Sequence, residues 1–256
     1  MRILLCLEYE GTAYAGWQRQ QNALSVQQVL EEGLRRLLGR DTPVCGAGRT
    51  DAGVHALGQA AHFDTRASIP PDRYAHALNV LLPPDIRVTR SLEVPEAFHA
   101  RFSAHRKEYR YYLYCAEQPS ALFASRVWHV RGPLDLGAMA DAAARFVGRH
   151  DFAAFQAAGA AVRDTVRTVE SAAVRSGAGT IEIAVAGEGF LYNMVRILAG
   201  TLERVGAGAL APECVTRALA SGNRLDLGPT APARGLYLWN IVYEGLETRR
   251  IAPFFG

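Results

Sequence analysis

Gly46-Ala47-Gly48-Arg49-Thr50-Asp51-Ala52-Gly53-Val54-His55 packs three glycines, an arginine, an aspartate and a histidine into ten residues. The short apolar runs Pro43-Val44-Cys45 and Gln59 to Phe63 flank it, so the string reads as a connection between two strands. Glycines allow such a connection to turn tightly and to approach a ligand closely. Two readings of Asp51 are open. Asp and Gly dominate turns, so Asp51 can simply cap one. An arginine two residues away also favours the ionised carboxylate, and an ionised Asp can act as a nucleophile.

Outward from this loop the pattern alternates between strand and helix. Residues 2–10 read as a strand with alternating faces. Ser25 and Gln28 form a capping-box pattern that opens a helix. Behind it Val26, Val29, Leu30, Gly33, Leu34, Leu37 and Leu38 recur at helical spacing. Strands are expected at 43–47, 57–64, 85–93 and 106–115, with a helix near 71–82 that stops before Pro83-Pro84. A second series follows. It has a helix over 135–147, with Met139, Ala142, Ala143, Phe146 and Val147 inward, and strands at 166–175 and 179–187 joined around Gly177-Ala178-Gly179. It ends with helices at 190–205 and 212–221 and a last strand at 236–243. This is an α+β chain of two similar halves, 1–115 with the Asp loop and 135–256, connected by 116–134. No low-complexity linker separates them, so the halves are expected to share one sheet.

The chain has 256 residues, 49% of them hydrophobic, which is enough for a substantial core. No apolar run approaches the roughly 18 residues of a membrane span. The apolar start Met1 to Leu7 meets Glu8 too soon for a signal-peptide core and reads as the first strand. Cysteines at 6, 45, 115 and 214 form no C-x-x-C pair, which argues against a zinc ribbon or redox motif and fits a reducing cytoplasm. The net charge of +3 is ordinary for this size, but Lys107 is the only lysine among 28 cationic residues. Arginine suits bidentate phosphate contacts and stacking on bases, although a codon bias would produce the same composition.

The Asp51 string resembles the catalytic loop of the tRNA pseudouridine synthase A (TruA) family, and other segments resemble that family in order. Tyr9-Glu10-Gly11-Thr12-Ala13-Tyr14-Ala15-Gly16-Trp17-Gln18-Arg19-Gln20 is similar to its opening segment, and Ser25-Val26-Gln27 to its first helix start. Arg106-Lys107-Glu108-Tyr109-Arg110-Tyr111 resembles its tyrosine strand. Asp151-Phe152-Ala153-Ala154-Phe155, Arg167-Thr168-Val169, Gly187 to Arg196 and Ala231-Pro232-Ala233-Arg234-Gly235-Leu236-Tyr237-Leu238 complete the series. The resemblance implies two ferredoxin-like (RRM-like) halves sharing a mainly antiparallel sheet, with a central catalytic cleft and a homodimer that holds tRNA. It implies isomerisation of uridine to pseudouridine at positions 38, 39 and 40 of the anticodon stem-loop, in the cytoplasm, with no cofactor, metal or membrane.

Pseudouridine formation breaks the N1–C1′ bond, turns the base and rejoins it through C5. The base must leave its stack, a group must hold sugar or base during the exchange, and C5 must lose a proton. The resemblance makes Asp51 the catalytic residue. It attacks covalently or takes the 2′ proton to give a glycal. Burial against a base would raise its pKa, so a cation is needed, and the resemblance places Arg196 in that role. Without the resemblance Arg196 reads as a surface helix arginine in an i, i+4 pair. Arg49 shares a face with Asp51 on an extended backbone and can grip a phosphate or fill the gap left by the base; a loop contact to carbonyls is its plain alternative. Strand alternation puts Tyr109 and Tyr111 on one side and Arg110 and Tyr112 on the other. Tyr111, Tyr112 and Tyr114 read as core, while Tyr109 matches the family's active-site tyrosine, able to stack on uracil. Two other classes compete: a non-catalytic RNA-binding module, and a metal-dependent hydrolase using Asp51 and His55. A metal set of Asp51, His55 and His62 has no recognised ligand spacing.

Overall fold

The computed structural model describes residues 1–157, 164–177 and 179–249. The chain divides into two compact units, 1–107 with 237–256, and 108–236. The first begins with β1 (Arg2–Tyr9), α1 (Val26–Leu38), β2 (Cys45–Gly46), β3 (His55–Asp64), α2 (Tyr74–Leu81) and β4 (Ile86–Val94). β1 lies between β4 and β3, antiparallel to both, and β2 pairs with β3. The strand order 4-1-3-2 with two helical crossovers is that of a ferredoxin-like unit. β1 departs from the alternation expected of it: Ile3 to Leu7 are all at most 1% exposed. A central strand covered on both faces needs no polar side.

Ser25 caps α1, its hydroxyl accepting from Gln28 N at 3.2 Å. The Gln28 amide reaches forward to Glu32 instead of back to the cap, so the box is half made. Gly39 ends the helix in the left-handed region, where its N–H bonds Arg35 O at 2.9 Å. Val26, Leu30, Gly33 and Leu34 form the buried stripe.

The second unit takes in β5 (Arg106–Cys115) from Glu108 on. It continues with β6 (Trp128–Val130), α3 (Leu136–Ala144), β7 (Gly148–Asp151), β8 (Val166–Gly177), β9 (Thr180–Gly187), α4 (Met194–Gly206) and α5 (Cys214–Ser221). Its sheet runs β5-β9-β8-β7, with β6 on β5. Two strands, β6 and β7, are too short to carry a period and were not anticipated. α3 stops earlier than expected, and Val147, expected inward, is 42% exposed beyond its last turn, next to Gly148 at φ 121°. α4 begins four residues late because Asn193 precedes it in the left-handed region. Ala178, in the anticipated β8–β9 turn, lies outside the described residues.

The chain then returns to the first unit as β10 (Leu236–Tyr243) and β11 (Leu246–Glu247). β10 runs parallel to β3 at Tyr237↔His55 and Leu238↔Ala56, beside the start of β3, whereas β2 covers its far end. The compact units are therefore not the successive stretches 1–115 and 135–256. Pairing with β3 groups the last strand with the first unit, whatever its place in the chain. Both units are α+β with mainly antiparallel sheets, the fold class expected.

Candidate active site

The string 46–55 is clamped by the segment 9–17. Trp17 N donates to Thr50 O at 3.1 Å, and Gly53 N donates to Tyr14 O at 3.2 Å. The buried Tyr9 hydroxyl and Thr50 Oγ1 lie 2.8 Å apart, and Gln59 Nε2 donates to Gly48 O at 2.9 Å. Two glycines make this closeness possible. A Cβ on Gly11 would lie 2.0 Å from Val54 O, and one on Gly16, at φ 86°, would lie 2.3 Å from Thr50 O. Neither Gly11 nor Gly16 was singled out in the sequence, although both stand in the quoted opening segment. The loop's own pattern is that of a local turn and does not show its partner 35 residues earlier.

Asp51 is half-buried at the turn, its carbonyl accepting from Val54 N at 3.1 Å while Gly53 adopts φ 77°. Arg49, two residues before, is exposed and donates from Nε to Gln18 Oε1 at 3.0 Å. The unit thus brings Asp51 and Arg49 together on one fixed loop. Lys107 Nζ donates to Ala47 O at 2.8 Å, and burial lowers its pKa to about 8, with Arg101 adding to the shift.

His55 is a structural residue. It is 1% exposed, its Nδ1 accepts from Gly11 N at 2.9 Å, and its ring stacks on Tyr237 at 4.7 Å. Among the described residues, the group of ligand-type side chains that does converge is Cys45, His62 and His99, whose ligand atoms lie within 4.8 Å of one another. Its hydrogen bonds oppose a metal. His62 Nδ1 accepts from Ala100 N, and His99 Nδ1 accepts from Arg101 N and Phe102 N. Both neutral rings therefore carry their proton on Nε2, the nitrogen a metal would need. His99 Nε2 lies 3.4 Å from Cys45 Sγ and donates to it.

Tyr109 and Arg196 belong to the second unit. Tyr109 is 8% exposed and meets Phe190 edge-on, with centroids 5.1 Å apart. β5 alternates as expected. Arg110 and Tyr112 both reach Glu182, at 2.8 and 2.9 Å, while Tyr111 bonds Pro232 O at 2.8 Å on the other face. Tyr111 and Tyr112 are core, but Tyr114 is only half-buried at the strand's end. Arg196 is no surface i, i+4 arginine. It is half-buried, donating from Nε to Ala231 O at 2.8 Å and from Nη1 to Asn193 Oδ1 at 2.7 Å. Ala231 N in turn bonds Arg196 O at 3.0 Å. The Ala231–Gly235 segment also touches Tyr111, against whose ring a Cβ on Gly235 would collide at 2.6 Å. Asn193, the residue that holds Arg196, carried no role in the sequence reading.

A carboxylate on a loop held by several hydrogen bonds is a group suited to covalent or proton-transfer chemistry. Comparison with known proteins names the reaction. A family described as tRNA pseudouridine synthase matches residues 5–103 and 142–244. The tRNA pseudouridine synthase A of Ruminiclostridium cellulolyticum is 50% identical over 243 residues, 94% of this chain and 99% of that relative. The protein of the same name from Syntrophotalea carbinolica is 49% identical over 241 residues, 94% and 96% of the two chains. The family match contains the 9–17 segment, the 46–55 string and Gln59, and the chain belongs to the tRNA pseudouridine synthase A family, enzymes that isomerise uridine to pseudouridine in tRNA.

Proposed function

We propose that this enzyme modifies uridines 38, 39 and 40 of the tRNA anticodon stem-loop, with Asp51 as the nucleophile, as a cytoplasmic homodimer. The observation that carries the role of Asp51 is the clamped loop. Four hydrogen bonds from the 9–17 and Gln59 side chains and backbone hold the turn on which the carboxylate sits. A reacting group must be held to within a fraction of an ångström, and this loop is built for that.

In this reading Tyr109, Arg49 and Arg196 bind the substrate. Arg196 keeps Asp51 ionised, Tyr109 stacks on the target uracil, and Arg49 takes a phosphate or the space the base leaves. Ionised Asp51 either adds to C1′ as N1 departs or removes the 2′ proton to give a glycal. Either route ends with C5 bonded to C1′ and the C5 proton lost. Asp51→Asn is expected to abolish release of tritium from tRNA labelled at uridine C5 while changing tRNA affinity less than about tenfold, about 1.4 kcal/mol. Turnover by Asp51→Asn at the wild-type rate would remove Asp51 from the chemistry.

A further inference from the structure

We propose that Phe102 is a stacking platform for a nucleobase of the tRNA substrate other than the target uridine, with Arg101 beside it to take a phosphate. The inference rests on the tRNA-modifying reading of the chain. Phe102 is 75% exposed, too much for a core residue. It is nonetheless held in place. Its ring lies 4.3 Å from that of His99, and the Arg101 guanidinium is 5.5 Å from its centroid.

The segment that displays it is pinned from several sides. His99 N donates to Ser103 Oγ at 3.0 Å, and His99 Nδ1 accepts from both Arg101 N and Phe102 N. Ala100 N donates to His62 Nδ1 at 3.1 Å, and Ala100 O accepts from the Tyr243 hydroxyl at 2.7 Å. Arg2 adds a bond to Phe98 O at 2.8 Å. An exposed aromatic on a mobile loop would lose its ordering entropy on binding, whereas this one is already ordered.

The charge around it suits RNA. Residues 99–107, His-Ala-Arg-Phe-Ser-Ala-His-Arg-Lys, hold Arg101 and Arg106, a lysine and two histidines, with the nearest carboxylates in the sequence at Glu96 and Glu108. Interleaved aromatic and basic residues are the composition of single-strand contacts, because every base offers a π-face and every nucleotide a phosphate. Further along the same stretch, Lys107 Nζ donates to Ala47 O of the Asp51 loop at 2.8 Å.

The test uses full-length enzyme and a tRNA transcript labelled with tritium at uridine C5. Phe102→Ala is expected to raise KM about 5- to 100-fold with kcat within about twofold, and Phe102→Trp to restore KM. Melting temperature should not move, since the side chain packs little. Indole fluorescence of Phe102→Trp, taken as the difference from wild type, should be quenched by tRNA. This quenching reads the platform whether or not the tRNA is turned over, while tritium release by wild type reads the enzymatic assignment. An unchanged KM in Phe102→Ala, or an indole blind to tRNA, overturns the platform. So does a change of sedimentation in Phe102→Ala, which would make the ring a contact between two copies of the chain.

Discussion

Asn193 stands at φ 60°, the sole non-glycine at positive φ among the described residues, at the N-cap of α4. An L-residue there costs about 1 kcal/mol. Its side chain makes no capping bond and instead accepts from Arg196 Nη1. The helix gives up a cap so that an arginine one turn on is aimed. Asn193→Gly removes that acceptor but relieves the backbone, so its stability in urea is expected to stay within about 1 kcal/mol of wild type. Its kcat is expected to fall about tenfold or more, with Asn193→Asp restoring much of it by keeping the acceptor. Full kcat in Asn193→Gly would show that Arg196 needs no such restraint. Asp51 was legible in the sequence because its neighbours are unusual in type. Asn193 was not, because its role lies in a dihedral angle and in a partner on the next turn.

At the level of elements, α4 shows how packing overrides local preference. Gly200 sits in mid-helix, where glycine costs about 1 kcal/mol relative to alanine. A Cβ there would lie 1.9 Å from Pro229 O, and one on Gly228 would lie 2.4 Å from Gly200 O. The two backbones touch, and this contact presses the 228–231 segment onto the helix, where Ala231 reaches Arg196. Gly200→Ala therefore gains about 1 kcal/mol of propensity and loses more to the clash, so a net destabilisation of about 2 kcal/mol is expected from urea unfolding. A more stable Gly200→Ala would mean that the segment moves aside freely. Elements with a long period were readable. α1 and β8–β9 lie close to their expected places, and β5 presents Tyr109 and Arg110 to opposite faces. Boundaries failed where a single residue decides them, at Asn193 and Gly148, and the three-residue β6 has no period to read.

For the whole molecule, the two compact units do not follow chain order, since β10 comes after all of the second unit and pairs with β3. Hydrophobic periodicity is local and names no partner, so the sequence shows the strand but not its neighbour. The same long-range assembly creates a pH sensitivity that no local pattern shows. His62 of β3 sits opposite Cys45 of β2 and under the 98–103 segment, with Ala100 N bonded to its Nδ1. Burial lowers its pKa to about 4, with Arg2 and His99 adding to the shift and Asp64 opposing it. Between about pH 6.5 and 4 the unfolded chain binds this proton and the folded one does not, so stability falls as the pH falls through that window. By pH 5 the loss is about 2 kcal/mol. Asp64 is likewise held below its ordinary value, by its hydrogen bond to Arg2, so its contribution is lost only at lower pH. His62→Asn keeps an acceptor for Ala100 N and carries no proton to gain. Urea unfolding at pH 7 and pH 5 should show the wild type losing about 2 kcal/mol more than this variant. Equal losses would mean that His62 titrates in the folded protein as it does in the unfolded chain, and that the Ala100 bond does not hold the ring neutral.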